Sequence, residues 1–216
     1  MTTRTVVLVP RREDGGQRDA VWRHLREQYW VSLGYELTEG HHTEGLFCRA
    51  AAINTAASLA GDWDVALIAD ADVFVPPQQL SRAVVRAAQS PALVLAHDEW
   101  LSLDEETTAD VLAGRQPPLV PAARRRSPVS GVLAIGRATW DRVGGFDERF
   151  EGYGWEDRAF VRKCTLAAGF SRVPGPMWHL WHEPVTPNVT GPEWRRAFAL
   201  WRTYETARSL RELVRR

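Results

Sequence analysis

The sequence predicts an α/β protein in which a layered sheet is flanked by helices. Short apolar runs of strand length alternate with segments whose apolar residues recur at helical spacing, which is the pattern of such folds. A chain of 216 residues fits one domain, or one domain with an appendage. Asp70 and Asp72 directly follow one of the apolar runs, where α/β folds usually bind their ligands.

The predicted elements follow one another in order. Residues 5–9 form an apolar strand that Pro10 ends. Further strands are expected at 35–38, 65–69, 92–96, 131–136 and 170–173. Helices are expected where apolar or alanine-rich patterns are longer, at 19–33, 46–59, 78–88, 138–143, 156–168 and 192–216.

The secondary structure of residues 104–127 is less evident from the sequence. Acidic residues come first, prolines follow, and the segment closes on Arg124, Arg125 and Arg126. We expect a partly ordered loop with one or two turns of helix. Long loops in compact domains often serve as lids or binding loops.

The composition narrows the class of protein. Hydrophobic residues make up 44% of the chain and charged residues 25%, as in ordinary globular proteins, and the net charge of zero does not point to any class of partner. Cys48 and Cys164 are too few for a disulfide scaffold. No apolar stretch has the length of a signal-peptide core or a membrane span. We therefore expect a soluble, cytoplasmic protein that does not bind membranes.

The pair Asp70 and Asp72 is the first candidate for chemistry. Two acids one residue apart can divide two tasks, since one can hold Mg²⁺ or Mn²⁺ while the other reaches a ribose or a water. A solvated turn or a helix cap is the alternative for so short a pattern.

The second candidate is the pair His179 and His182. Spacing of three places both rings on one side of a helical turn, or brings them together in a bent loop, and the flanking tryptophans favour a packed, non-helical segment. Imidazole is a good ligand for Mn²⁺ and a better one for Zn²⁺, but no cysteine or third histidine lies near enough in sequence to favour zinc. One structural and one exposed histidine is the alternative.

The third candidate is the pair Glu156 and Asp157, which follows Gly152 and Gly154 at a predicted helix start. The helix dipole keeps such carboxylates ionised, and an ionised carboxylate beside a hydroxyl can act as a general base. Helix capping is the alternative, but capping alone does not need two glycines and an aromatic residue just upstream.

A fourth candidate lies where the first strand ends, at Pro10, Arg11 and Arg12. Arginines at this edge can contact a pyrophosphate. A surface turn explains them equally well.

Together these motifs resemble GT-A glycosyltransferases of the galactosyltransferase C-terminal-domain group, which includes β-1,4-galactosyltransferases, polypeptide GalNAc-transferases and bacterial family 2 enzymes. The resemblance runs from Val6 to about Pro184 in the expected order. It implies a Rossmann-like, mixed and mostly parallel sheet flanked by helices, with a C-terminal helix. It also implies a catalytic domain over residues 1–190 and a helical extension over 191–216, packed on the same domain.

The resemblance also assigns roles to residues of this chain. The nucleotide would be held at Pro10, Arg11 and Arg12 and by Arg49 of the segment 47–50, and Asn54 matches further along the same helix. The metal would lie on Asp72, with His182 and His179 as further ligands. Asp157 would be the base of an inverting transfer, and Glu156 would bind a hydroxyl. The remaining expected donor-site residues are Asp70, Gly131, Tyr153 and Trp155.

This sequence departs from the family in three places. Trp155 stands where many relatives have glycine, Ala159 lacks a further carboxylate that often follows the pair, and Pro128 replaces a residue that tunes tolerance for an N-acetyl group. The departures concern the choice of sugar.

The sequence thus predicts a metal-dependent inverting glycosyltransferase, a hexosyl- or N-acetylhexosaminyl-transferase that uses a UDP-sugar, Mn²⁺ or Mg²⁺, and an acceptor hydroxyl on a glycan, a protein or a small molecule. A different acceptor would be hydroxymethylated DNA, held by a basic surface of 124–126 and the arginines of the terminal helix, although the acidic residues of that helix balance much of this charge. A sugar-phosphate nucleotidyltransferase and a non-catalytic nucleotide-sugar-binding module are two further candidate functions. Gly15-Gly16 is a poor version of the glycine-rich loop that a nucleotidyltransferase needs.

Overall fold

The computed structural model describes residues 3–152, 154–183 and 191–214. Its strands are β1 (Thr5–Arg11), β2 (Glu36–His41), β3 (Val65–Ala69), β4 (Val73–Phe74), β5 (Leu93–Leu95), β6 (Glu99–Ser102), β7 (Ala123–Arg126), β8 (Val132–Gly136), β9 (Phe170–Arg172) and β10 (Pro176–His179). Its helices are α1 (Gln17–Leu25), α2 (Arg49–Leu59), α3 (Pro77–Gln89), α4 (Glu105–Leu112), α5 (Arg137–Val143), α6 (Glu156–Ala167), α7 (Pro192–Thr206) and α8 (Arg211–Val214).

Six strands form the larger sheet, in the order β2-β1-β3-β8-β5-β9. β1 lies parallel to β2 and β3, β8 runs antiparallel to both β3 and β5, and β9 is parallel to β5. The sheet is therefore mixed, as predicted. The register of β3 and β8 ends with Ala69 opposite Val132, and the Asp70 amide donates to the Gly131 carbonyl (3.0 Å), which fixes the backbone where the acidic motif begins.

The core covers both faces of this sheet because the side chains of a strand alternate between its two faces. Val6 and Leu8 of β1 pack with α2, α5 and α6 on one face. Val7 and Val9 pack with α1 and α3 on the other. Strands buried on both faces read as continuous apolar runs, which is why β1 and β3 are visible in the sequence.

Four further strands form a smaller sheet, in the order β4-β10-β6-β7. β10 pairs antiparallel with β4, with His179 opposite Val73, and parallel with β6, with His179 opposite Ser102. This pairing brings His179 next to the strand that immediately follows Asp72. None of β4, β6 and β10 is among the predicted strands.

Three predicted segments differ in the structure. The helix predicted at 19–33 is α-helical only to Leu25, after which a π-helical turn and a 3₁₀ turn lead to Gly34, whose φ is 74°. The segment 104–127 contains the expected short helix, α4, but also the strand β7, which is not among the predicted strands. The terminal helix breaks after Thr206, since Ala207 is extended (φ −61°, ψ 136°), and resumes as α8.

The helix α7 packs against α6 through its own small cluster. Ala159 of α6 and Phe150 lie buried with Ala197 and Tyr204 of α7. The Tyr204 hydroxyl donates to Asp147 (2.5 Å), which ties α7 to the segment that leads into α6. Among the described residues no helix is both long enough and apolar enough to span a membrane.

Candidate active site

The structure brings Asp72, His179 and His182 together. Asp72 Oδ2 lies 3.0 Å from His182 Nε2 and 3.6 Å from His179 Nε2, and the three possible ligand atoms lie within 4.8 Å of one another. Their side chains are 23%, 19% and 11% exposed, in the order Asp72, His179 and His182, so the group is sheltered but open to the surface. The two histidines are not on a helix: His179 ends β10, and His182 lies in the non-helical segment after it.

This donor set suits a divalent cation. One carboxylate oxygen and two imidazole nitrogens fit Mn²⁺, and the remaining positions stay open for substrate oxygens. Burial alone would raise the pKa of Asp72, but the hydrogen bonds to His179 and His182 outweigh it and lower that pKa, so Asp72 is ionised. His182 Nε2 is the ring nitrogen that faces Asp72, at 3.0 Å from Oδ2, so it is the candidate ligand atom of this ring.

Arg49 stands at the centre of a second group. It begins α2, after Cys48, whose thiol caps that helix by accepting from the Ala51 amide (3.4 Å). The guanidinium donates from Nε to Asp70 Oδ1 (2.9 Å) and from Nη1 to Asp157 Oδ1 (2.7 Å).

One cation therefore faces three carboxylates, because Glu156 also lies 3.9 Å from Arg49 Nη1. All four side chains are less than 20% exposed. Burial raises the pKa of Asp157 to about 8, Arg49 opposes this, and the charges of Glu156 and Asp70 add to it. Burial also raises the pKa values of Asp70 and Glu156 against the pull of Arg49.

The two groups lie side by side because Asp70 and Asp72 are only one residue apart. Asp70 turns toward Arg49 and Asp157, whereas Asp72 turns toward the histidines. The structure thus places the expected metal ligands and the expected base around one short turn, between the end of β3 and the start of β4.

Arg11, the last residue of β1, and Arg12, the residue after it, have different surroundings. The side chain of Arg11 is only 7% exposed and is paired with Asp19 (2.6 Å) and Glu39 (3.4 Å). We therefore do not propose its guanidinium as a nucleotide ligand. Arg12 is exposed and donates to the Gly45 carbonyl (2.8 Å), so it remains at the surface beyond Pro10.

Gly131 has a packing reason to be glycine. Its φ is 103°, which disfavours any side chain, and a Cβ there would clash with the Met177 thioether. Asn54 also holds the backbone, since its side-chain amide exchanges hydrogen bonds with Phe146 N (2.9 Å) and Phe146 O (3.0 Å).

Trp155, one of the expected donor-site residues, lies where α6 begins. It is the N-cap of α6 with φ 78°, a left-handed conformation that favours glycine. Its ring packs against Trp201, Trp194 and Phe198 of α7, at centroid distances of 5.9, 5.9 and 5.2 Å. Its aromatic contacts are therefore with the C-terminal helix, and the guanidinium of Arg158 lies 5.5 Å from its ring centre. Tyr153 falls outside the described residues.

Asp72, His179 and His182 are called the metal group below. Two residues that lie next to this group are not expected from the sequence. Arg18 Nε lies 3.2 Å from His182 Nδ1, and the ring of Trp100 lies 5.0 Å from that of His179. Trp100 lies on β6, whose four residues show too little apolar alternation to predict a strand.

A known protein family matches part of this chain. The model of the N-terminal domain of galactosyltransferase matches residues 119–180, which include Gly131, Glu156, Asp157 and His179. No sequence among the curated proteins matches the chain.

Several solved structures share the architecture at low identity. A Drosophila β-1,4-galactosyltransferase 7 variant, in complex with manganese, UDP-Gal and xylobiose, is 15% identical over 97% of this chain and 84% of its own (TM-score 0.58). GalNAc-T7 with UDP, GalNAc and Mn²⁺ is 12% identical over 94% of this chain and 49% of its own (TM-score 0.57). Glucosyl-3-phosphoglycerate synthase from Mycobacterium tuberculosis, with Mn²⁺, UDP-glucose and phosphoglyceric acid, is 14% identical over 94% of this chain and 79% of its own (TM-score 0.52). The chain therefore has the GT-A glycosyltransferase fold that the sequence predicts.

Proposed function

We propose that the protein is a metal-dependent, inverting glycosyltransferase that moves a sugar from a UDP-sugar to an acceptor hydroxyl. The observation that carries the proposal is the placement of the Asp72, His179 and His182 group beside the buried Asp157, in a fold shared with glycosyltransferases. A diphosphate leaving group needs a cation, and an attacking hydroxyl needs a base. The site offers residues for both.

Asp72, His179 and His182 would hold the cation, with Mn²⁺ the best candidate and Mg²⁺ the second. A divalent ion bound there would neutralise charge on the leaving diphosphate. The structures of the similar transferases contain Mn²⁺ together with UDP or a UDP-sugar, which supports this choice of ion and donor.

Asp157 is the proposed base. In the transfer, the acceptor oxygen forms a bond to sugar C1, the bond from C1 to the phosphate oxygen breaks with its electron pair leaving on UDP, and the hydroxyl proton passes to Asp157. A single displacement, in which the acceptor oxygen attacks from the face opposite the leaving group, inverts the configuration at C1. Arg49 would orient Asp157 and Asp70 through its hydrogen bonds, and Glu156, next to Asp157 on α6, would bind a hydroxyl of donor or acceptor.

The structure offers a reason to set the nucleotidyltransferase function aside. Such an enzyme needs backbone amides after the first strand that are free to cradle phosphates. Here the amides of Asp14 and Gly15 donate to the Asp19 carboxylate, at 3.1 and 2.7 Å. The loop is therefore already occupied by an acidic side chain.

DNA as the acceptor gains no specific support. On α7, Arg196 lies 3.9 Å from Glu193 and Arg202 lies 3.2 Å from Glu205, so part of the basic charge is balanced along the helix. Arg215 and Arg216 fall outside the described residues.

The test is release of UDP from a panel of UDP-sugars, with Mn²⁺ and with EDTA, in the presence of candidate acceptors. We expect one donor to give Mn²⁺-dependent release and Asp157→Asn to lower turnover roughly 10²- to 10⁴-fold, the range for a lost general base, while UDP binding by calorimetry stays unchanged. Asp141→Asn, which alters an exposed carboxylate paired with Arg137, is the control and should behave as wild type. Near-wild-type turnover of Asp157→Asn contradicts the assignment of the base, and absence of release from every donor contradicts the proposed function.

A further inference from the structure

The smaller sheet carries a row of three side chains across its strands, Met177, Trp100 and Arg125. His179 of the metal group lies next to this row. β6 lies between β10 and β7, with Met177 opposite Trp100 and Trp100 opposite Arg125. Residues two apart on a strand share a face, so His179 projects on the same face as Met177, Trp100 and Arg125. The 5.0 Å separation of the His179 and Trp100 rings agrees with this arrangement.

The tryptophan in the middle of the row is held in place and partly exposed. Trp100 Nε1 donates to Ser102 Oγ (3.0 Å), which fixes the tilt of the ring. An aromatic face next to a few polar groups is the usual lining of a small-molecule site.

Arg125 at the end of the row differs from its neighbours on β7. Arg124 projects to the other face, where its Nη1 lies 3.7 Å from Glu99. Arg125 is exposed, and in the described parts of the chain no acidic group forms a salt bridge with it. Strands lie about 4.8 Å apart, so β7 runs roughly 10 Å from the strand that carries His179.

We infer that Trp100 and Arg125 form a substrate subsite for an anionic group, a carboxylate or a phosphate monoester, beside the metal group. This inference rests on the proposed function. A sugar ring over Trp100 would place its charged substituent at Arg125, and the arginine fork matches the geometry of carboxylate and phosphate oxygens. The acceptor and the donor sugar are both sources of such a group, and the experiment separates them.

An alternative role for the arginine is to protect an exposed sheet edge, because charged side chains on edge strands prevent unwanted pairing. That role would be shared with Arg124, which has the same charge, strand and exposure. Arg124→Ala is therefore the matched control for Arg125→Ala.

The kinetic arm compares neutral and anionic substrates with the full chain and saturating Mn²⁺. UDP-glucose is compared with UDP-glucuronate as donor, and glucose with glucose 6-phosphate as acceptor. We expect Arg125→Ala to raise KM for the anionic member of one pair roughly tenfold or more, as loss of a charge-assisted hydrogen bond does. KM for the neutral member should stay unchanged, and Arg124→Ala should match wild type. The pair affected identifies the source of the anion.

A binding experiment tests the subsite independently of sugar transfer. Calorimetry with Mn²⁺ measures the binding of glucose 6-phosphate in the presence of UDP, and the binding of UDP-glucuronate in the absence of UDP. Binding that Arg125→Ala weakens and Arg124→Ala does not supports the subsite even if no sugar is transferred. Equal behaviour of the two variants in both arms overturns it.

Discussion

Arg49 donates a 2.7 Å hydrogen bond to Asp157, so the carboxylate expected to act as a base is held by a buried cation. The same guanidinium holds Asp70, 21 residues further along the chain than Arg49. Arg49 therefore links the turn that carries the proposed metal ligand Asp72 with the helix that carries the proposed base.

Replacing Arg49 tests this link. We expect Arg49→Met to lower the free energy of unfolding by about 3–5 kcal/mol, as removing one partner from a buried ion pair does, and to abolish transfer. Arg49→Lys keeps the cation but loses the planar fork, and it should keep the fold with much of the activity lost. Urea unfolding and UDP release measure the two effects. Wild-type activity of Arg49→Met would show that Asp157 needs no such partner.

The pH dependence of transfer follows from the raised pKa of Asp157. A base acts only when ionised, and the carboxyl of Asp157 keeps its proton up to about pH 8 in the folded protein. We expect kcat/KM to rise with pH and to level off near pH 8, with about tenfold loss for each pH unit below it. The profile is measured as kcat/KM, which reports the ionisation of the enzyme before substrate binds. A rate that stays flat down to pH 6 would contradict an acid limb set by Asp157.

Manganese should stabilise the protein through the metal group. A ligand that binds only the folded state stabilises it by about 2.7 kcal/mol at a concentration 100 times its Kd. Asp72→Asn and His182→Ala should lose most of the rise in Tm caused by Mn²⁺, and His41→Ala, which alters an exposed residue of the edge strand β2, should keep it. A rise in Tm of the same size in all four proteins would place the ion elsewhere.

Trp155 should matter for the docking of α7. Trp155→Gly removes the strain of φ 78° but also removes the contacts with Trp194, Phe198 and Trp201. Lost aromatic packing outweighs relief of backbone strain, so we expect a net loss of about 1–3 kcal/mol of stability. Hydrogen exchange should show the loss of protection concentrated in α7, and Val85→Ala on the exposed side of α3 is the control. Unchanged protection of α7 would mean that the ring is not what holds it.

The sequence predicts best the elements whose burial is complete. β3 occurs at 65–69 as expected because all five of its residues are buried, and an apolar run of that length has few other interpretations. β7 is entirely exposed and carries three arginines, so it has no apolar pattern by which to find it. β4 and β10 contain two and four residues, too few to show a period.

The sequence indicates which residues form the site but not which of them are hydrogen-bonded to each other. Asp72, His179 and His182 are expected together and lie together. Arg49 is expected at the nucleotide, and its bonds to Asp70 and Asp157 depend on partners 21 and 108 residues away in sequence. Nothing in the sequence around Trp155 indicates that its ring packs on α7, because that contact depends on how the C-terminal helix returns to α6.

The metal group joins distant parts of the chain, since His182 and Asp72 are separated by 110 residues. During synthesis, the last strand of the larger sheet is complete when Arg172 has emerged, yet two of the three ligands are still missing. β10 must then insert between β4 and β6, which brings His179 into place. A nascent chain that ends before β10 can thus have all six strands of the larger sheet and still lack a metal site. The chain can bind the metal only after β10, a strand of four residues, has been inserted.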